Sequence, residues 1–175
     1  MKYFVLFSLL IFSINQYIYS NDSTGKSSKF ALYLMPEISG HNPDKNIVGI
    51  YENFAVSCNV ELIYLKNYAI RVGYGYGRAK ATSIFSNSYN NYEFEGFVAM
   101  FNYILGDRNK LELGAGLNII EERNVTSSKS WKHIWPAASI AYRYSPSPLV
   151  YFRFGATFVY GSGWPLCLSF GFKLL

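Results

Sequence analysis

The chain is 175 residues long, which is the size of a single domain. Half of its residues are hydrophobic and 19% are aromatic, whereas only 15% are charged. A typical soluble domain carries about 25% charged residues, so the charge here is too sparse for an ordinary water-facing surface. The net charge of +5 comes from scattered side chains. This argues against a nucleic-acid-binding protein, because such proteins concentrate Lys and Arg in a patch.

The N-terminal residues differ in character from the rest. One lysine precedes an apolar run over residues 3–14, which is shorter than a membrane-spanning helix of about 20 residues. We therefore predict a secretory signal peptide over residues 1–20, a short N-terminal segment over 21–28 and a single domain over 29–175. Cys58 and Cys167 match neither a metal-binding spacing nor a disulfide framework.

Alternation of the kind found in β-strands dominates the remaining chain. In the stretch AIRVGYGYGR, glycines recur at every second position, Gly73, Gly75 and Gly77. This is the period of a strand and not the spacing of a phosphate-binding loop. Eight such runs are predicted, at residues 29–38, 47–65, 68–79, 91–104, 110–121, 133–145, 149–160 and 165–175.

The connections between these runs alternate in length. Three have the composition of tight turns, namely Lys66-Asn67, GDRN at 106–109 and SPSP at 145–148. Most of the others are longer and polar, at residues 39–46, 80–90 and 123–131. Short turns on one side and longer loops on the other are typical of outer-membrane β-barrels.

Each run has one bulky apolar face and one face of small residues with isolated charges. In the seventh run, Phe152 and Phe154 alternate with Arg153 and Gly155. A soluble barrel would turn the second face to water, but Gly, Ala and Ser make a poor solubilising surface and suit the narrow lumen of an eight-stranded barrel. We therefore predict an all-β fold, an eight-stranded antiparallel transmembrane β-barrel with short periplasmic turns and longer outer loops.

This orientation defines three sets of residues. The glycines expected to line the lumen are Gly73, Gly75, Gly77, Gly114, Gly116, Gly155 and Gly171. The charges expected to form a paired lumen network, since unpaired buried charges are costly, are Glu37, Glu61, Arg71, Glu112, Arg143, Arg153 and Lys173. The aromatic residues expected at the membrane interface are Tyr68, Tyr76, Tyr103, Trp135, Tyr144, Tyr160 and Trp164.

The final third of the chain carries a family resemblance. KLELGAGLNI at 110–119 and AYRYSPSPLVYFRFGATFVYGSGWPLCLSFGFKLL at 141–175 resemble the C-terminal region of small Gram-negative outer-membrane β-barrel proteins, the OmpA/OmpX-like barrel class. The matching features are Y-R-Y before a tight turn, F-R-F-G in the penultimate strand and W-P before the closing strand. The resemblance implies export to the outer membrane and insertion by the barrel-assembly machinery, which reads the last strand. Leu174-Leu175 departs from the phenylalanine that usually ends such strands.

A lipid A acyl hydrolase or transferase is the catalytic alternative. His133 is the candidate base, with Glu121 or Glu122 as its acid. Ser139 lies six residues further along the same strand, about 20 Å away, so another serine would have to serve as the nucleophile. A solvated loop histidine accounts for His133 more simply. We therefore predict no enzymatic activity, no metal site and no cofactor.

The predicted function is a structural or surface-interaction role in the outer membrane. The alternatives are porin-like transport through a narrow channel, the lipid A-modifying enzyme and a soluble secreted ligand-binding barrel. The expected partners are outer-membrane lipid, lipopolysaccharide and the barrel-assembly machinery, without nucleic acid; the surface ligand is not identified. The basic residues expected to contact lipopolysaccharide phosphates are Lys80, Arg123, Lys129 and Lys132.

Overall fold

The computed structural model describes residues 29–40, 49–83, 89–159 and 166–174. They form eight strands, which are β1 Phe30–Ser39, β2 Gly49–Tyr64, β3 Tyr68–Ser83, β4 Tyr89–Leu105, β5 Asn109–Asn124, β6 Lys129–Ser147, β7 Val150–Val159 and β8 Leu166–Lys173. Each strand pairs with the next in antiparallel fashion, and β1 pairs with β8, so the sheet closes into a barrel. The predicted fold class is confirmed. Within these ranges, no helix has the length and apolar character that crossing a membrane requires.

Alternate residues of each strand point out of the barrel, as the period of two predicts. The outward face carries large apolar side chains such as Ile70, Phe154 and Leu168, which are 52%, 54% and 57% exposed. On the inward face of the same sheet, Arg143 and Arg153 are fully buried. This is the reverse of a soluble protein, because the apolar side chains lie outside and the charged ones inside. It suits a barrel with lipid acyl chains around it and a polar, closed interior.

The connections are short at one end of the barrel, here called the turn end, and longer at the other, called the loop end. The turn-end connections span residues 65–67, 106–108 and 148–149. The loop-end connections span residues 40–48, 84–88, 125–128 and 160–165. This is the asymmetry that the sequence predicted.

Several strands extend further toward the loop end than predicted. The loop expected over 123–131 shrinks to four residues, because the ladder between β5 and β6 continues to the pair Asn124 and Lys129. The Asn124 side chain accepts hydrogen bonds from the backbone N–H groups of Thr126 at 2.9 Å and Ser127 at 3.0 Å. Asn is well suited to this local turn, which closes the hairpin without a longer loop.

Two of the tight turns also differ from the predicted positions. Strand β6 includes Ser147, because the β6–β7 ladder shifts register after Tyr144 and resumes at Ser147, which leaves only residues 148–149 as the turn. In the β2–β3 turn, Leu65 and Lys66 have φ angles of 50° and 65°. These are left-handed conformations, and they lie within a three-residue connection over 65–67.

The lumen is filled in three layers. At the turn end lies an apolar cluster of Tyr33, Met35, Ile63, Ala69, Ile104 and Tyr151. The middle layer consists of buried charged side chains. Toward the loop end lies a second apolar cluster of Ala55, Ala79, Tyr92, Phe94 and Ile120, with Trp135 packed against it. The barrel interior is therefore a packed core.

Candidate functional site

Arg143 on β6 is the centre of the charged middle layer. Its Nη1 and Nη2 atoms donate to the two carboxylate oxygens of Glu61 at 2.7 and 2.8 Å. Its Nε atom donates to Oε2 of Glu112 at 3.2 Å, and its Nη2 atom contacts the same oxygen. All three side chains are fully buried. A guanidinium is suited to this place because its planar fork can hold two carboxylates at once.

Arg153 on β7 continues the chain of contacts from Glu112 to Glu37. Its Nε atom lies 2.9 Å from Oε1 of Glu112, and its Nη1 atom lies 3.4 Å from Oε2 of Glu37. Ser169 donates to the same Glu37 oxygen at 2.7 Å. Arg71 on β3 reaches this oxygen with Nη1 at 3.5 Å. The ion pairs in this part of the lumen therefore join side chains from β1, β3, β5 and β7. Strand β8 contributes Ser169, which holds Glu37 in place.

We call these six residues the lumen network; in order of contact they are Glu61, Arg143, Glu112, Arg153, Glu37 and Arg71. Acids and bases alternate along it, and three charges of each sign balance. The structure therefore brings six of the seven charges that were assigned to the lumen into one connected set. Such pairing is what makes charges tolerable in a closed interior.

Lys173 was expected in this network but does not join it. It lies on the inward face of β8, opposite Tyr33 and at the turn end. Its side chain is only half-buried, and it makes no ion pair with any residue that the structure describes. A lysine at the mouth of the barrel can keep its charge in water, so it has no need of a partner.

Tyr151 is a member of this region that the sequence interpretation missed. Its hydroxyl donates to Oε2 of Glu61 at 2.7 Å, and the guanidinium carbon of Arg143 lies 4.1 Å from the centre of its ring. The alternation on β7 places Tyr151 on the same face as Arg153. That signal was available, but Tyr151 was not assigned to either face.

The lumen glycines lie on the inward face, and two of them show why a side chain is excluded. Gly77 lies opposite Phe94 and Gly171 lies opposite Tyr151 in adjacent strands. A Cβ atom at Gly77 or Gly171 would overlap the ring of its partner. Each glycine thus lets an aromatic ring lie across the neighbouring strand, a packing that stabilises glycine positions in sheets.

A cavity of about 110 Å³ lies above the lumen network, toward the loop end. Glu37, Arg71 and Cys167 line it from the network side, and Phe94 and Ile120 line it from the apolar cluster. Its polar wall is formed by Ser39, Ser57, Asn118 and Thr157. The cavity is therefore bounded by charge on one side and by apolar groups on the other.

Outward-facing charges mark the upper limit of the apolar band. We call this set the charged collar, and its members are Arg78, Lys80, Glu93, Glu95, Glu121, Arg123 and Lys132. Glu93 lies opposite Arg123 and Glu121 lies opposite Lys132, whereas on the other side of Glu121 the ladder partner is the like-charged Glu95. Arg78 and Glu93 form an ion pair of 3.0 Å. The strands thus continue beyond the apolar band into a polar environment.

Tyr76 lies at the lower edge of the charged collar, opposite Glu95 in the ladder. Its ring is exposed on the outer face, and its hydroxyl accepts a hydrogen bond of 2.9 Å from Nε of Arg78. At the turn end, Tyr68 and Tyr103 are cross-strand partners with ring centres 5.4 Å apart, and the Tyr144 hydroxyl accepts from Nη2 of Arg108 at 3.2 Å. Apolar rings with polar tips at both ends of the band are suited to membrane interfaces.

Trp135 was assigned to the interface, and this is wrong. It is half-buried on the inward face of β6, which it shares with the buried Ala137 and Arg143, and its ring stacks on His133 with centres 4.4 Å apart. Side chains repeat their direction every two residues along a strand, so Trp135 points inward as Arg143 does. Tyr160 and Trp164, the other two loop-end aromatics assigned to the interface, lie outside the described residues.

The candidate catalytic residues are not assembled. Among the described residues His133 has a ring contact with Trp135 but no hydrogen bond to a serine or a carboxylate. Ser139 is buried in the lumen, opposite Gly114 and Thr157. In the part of the chain that the structure describes, no three His, Cys, Asp or Glu side chains are grouped closely enough for a metal ion. Cys58 faces outward and Cys167 faces the lumen, and both are free thiols.

No protein-family model matches the chain, and no curated protein matches its sequence. Solved structures do match. Neisserial surface protein A is 14% identical with a TM-score of 0.59, over 84% of this chain and 98% of that one. Ail, the attachment invasion locus protein of Yersinia pestis, is 10% identical with a TM-score of 0.53, over 85% of this chain and 100% of that one. The N-terminal β-barrel domain of Pseudomonas aeruginosa OprF is 14% identical with a TM-score of 0.52, over 81% and 97%. This chain has the fold of small outer-membrane β-barrels, as its resemblance to that class implied.

Proposed function

We propose that the chain is an outer-membrane protein with a structural or surface-interaction role, in which a filled barrel holds the loop end at the cell surface. The outward apolar band, closed by tyrosines and the charged collar, supports the location. In this orientation the turn end faces the periplasm, and the barrel-assembly machinery inserts the protein after export. We favour a non-enzymatic role, because His133 stacks on Trp135 and makes no hydrogen bond to a serine among the described residues.

The observation that carries this proposal is the filled lumen. Two apolar clusters flank the lumen network, and Met35, Ile104 and Arg143 are all fully buried. An eight-stranded barrel encloses only enough space for its own side chains. An ion crossing it would have to separate buried ion pairs and then pass apolar groups. We therefore favour a scaffold over the alternative of a narrow channel.

Planar-bilayer recording tests this choice. The purified full chain is expected to give no steady conductance, because an ion would have to pass two apolar clusters and separate buried ion pairs. Insertion is verified in the same lipid by the shift in gel migration that a folded barrel shows before heating. Steady single-channel steps whose size changes in Arg71→Gln or Arg153→Gln would overturn the scaffold and support the channel.

We further propose that the collar cations contact lipopolysaccharide phosphates. Arg123 and Lys132 are exposed on the outward face of neighbouring strands, at the level where lipid headgroups begin. Glu93 and Glu121 lie opposite them in the ladders. Attraction between exposed charges and phosphates is long-ranged and is weakened by salt.

The double variant Arg123→Gln/Lys132→Gln tests the contact. Lipopolysaccharide added to detergent micelles is expected to raise the thermal unfolding midpoint of the native chain, and to raise that of the variant less. The matched control is Lys29→Gln/Lys66→Gln, which removes the same charge from exposed positions at the turn end. Equal lipopolysaccharide-dependent shifts in all three proteins, at low salt, would contradict the proposal.

A further inference from the structure

The lumen network has two different ends. Its acidic end is Glu61, which receives hydrogen bonds from Arg143 and from the Tyr151 hydroxyl. Its basic end is Arg71, whose one ion pair with a described residue is to Glu37, at 3.5 Å. Glu37 is already shared with Arg153 and Ser169. The network is neutral as a whole, but one end is capped by a hydrogen-bond donor and the other ends in a cation.

Arg71, at the basic end, has hydrogen-bond donors that its ion pair with Glu37 does not satisfy. It is 2% exposed and lines the lumen cavity. Its Nε and Nη1 atoms have no hydrogen-bond acceptor among the described residues. A buried guanidinium N–H without an acceptor is costly, so these groups require an acceptor inside the cavity.

We propose that the lumen cavity binds a small monovalent anion of halide size, held by Arg71. The sign follows from Arg71, because its Nε and Nη1 atoms lack a hydrogen-bond acceptor among the described residues. Glu37 also lines the cavity, but its carboxylate is already shared by Arg71, Arg153 and Ser169. The size matches the space, because a cavity of about 110 Å³ has room for a small anion together with a few water molecules at roughly 30 Å³ each.

Ser57 supplies a second donor to the site. It lines the cavity opposite Glu37 and Gly75 in the adjacent strands. Its hydroxyl oxygen accepts a hydrogen bond of 3.1 Å from Nδ2 of Asn59, which leaves the hydroxyl proton free to donate into the cavity. Phe94 and Ile120 add apolar groups to the cavity wall. These groups lower the local polarity around Arg71, which strengthens its attraction to an anion.

Crystals of the full chain grown with bromide in place of chloride test the proposal directly. A bromide anomalous peak is expected in the cavity, within hydrogen-bonding distance of Nε or Nη1 of Arg71. Ordered water at that position in bromide-grown crystals, without an anomalous peak, would overturn the proposal.

A solution measurement provides the second test. The thermal unfolding midpoint in detergent is expected to rise saturably when gluconate is exchanged for chloride at constant ionic strength. Ser57→Ala is expected to weaken the apparent chloride affinity several-fold. The matched control is Ser139→Ala, since Ser139 is a buried lumen serine that does not line the cavity. Equal chloride dependence in Ser57→Ala and Ser139→Ala, or none in the native chain, would contradict the assignment.

Discussion

Replacing Arg143 by Met is expected to lower the free energy of unfolding by about 3–5 kcal/mol, the range for removing one partner of a buried ion pair. Arg143 is fully buried between Glu61 and Glu112. Met occupies much of the same space but leaves two buried carboxylates without the cation that joins them. The measurement is urea unfolding of the protein refolded in lipid vesicles, followed by the gel migration of the folded barrel.

Two further variants separate charge from packing in this experiment. Arg78→Gln breaks the Arg78–Glu93 pair of the charged collar, whose side chains are 72% and 34% exposed, so unfolding is expected to change little. The double variant Arg143→Met/Glu61→Gln is expected to recover much of the loss, because it removes one cation and one carboxylate and leaves Glu112 paired with Arg153. If Arg143→Met is as stable as Arg78→Gln, the lumen network does not hold the barrel together.

Leu117→Arg is expected to destabilise the barrel in lipid by about 2–4 kcal/mol, the cost of a lipid-facing Arg near the bilayer midplane. Leu117 is 50% exposed on the outward face of β5. The outward residues on either side of it, Ala115 and Ile119, are apolar, so the charge cannot readily reach water. The measurement is the urea unfolding free energy in vesicles, together with the amount of folded protein recovered from the membrane fraction.

Val125→Arg is the matched control for this prediction. Val125 is also an exposed apolar residue, at 46%, and it has the same parity as Leu117. It lies beyond Glu121 and Arg123 of the charged collar, so the added charge remains in water and little change is expected. Equal costs at the two positions would mean that the apolar band does not face lipid. A stable, monomeric Leu117→Arg variant in detergent-free buffer would have the same meaning.

Alternation was sufficient to identify most inward and outward residues. A strand repeats its side-chain direction every two residues, and one face was apolar while the other was small or charged. Glu61, Arg71, Arg143 and Arg153 were therefore assigned to the interior from the sequence. Tyr151 and Trp135, two of the inward aromatic residues, were assignable by the same rule. Trp135 was misjudged because a general preference of aromatic residues for the interface was given more weight than parity, and Tyr151 was not assigned to either face.

The strand ends were less predictable. Lys129 and Asn124 are polar, and polar residues near a loop were taken as part of it. In the structure they pair with each other because the neighbouring strands continue the ladder beyond the apolar band. The polarity of a side chain reflects the solvent around it. The end of a strand is set instead by where its backbone groups lose their hydrogen-bonding partners in the neighbouring strand.

The sequence by itself determined the architecture, that is, an eight-stranded barrel with lipid-facing bulk outside and small or charged groups within. Local periodicity and turn composition carry this information, and both are properties of neighbouring residues. Only the tertiary structure decided which charges pair. Arg143 and Glu61 are 82 positions apart, and they meet because closure of the sheet brings β2 and β6 to opposite sides of a narrow lumen. The same closure decided that Arg71 ends the network beside a cavity, since register and barrel diameter, which no local pattern encodes, set where the interior is not filled.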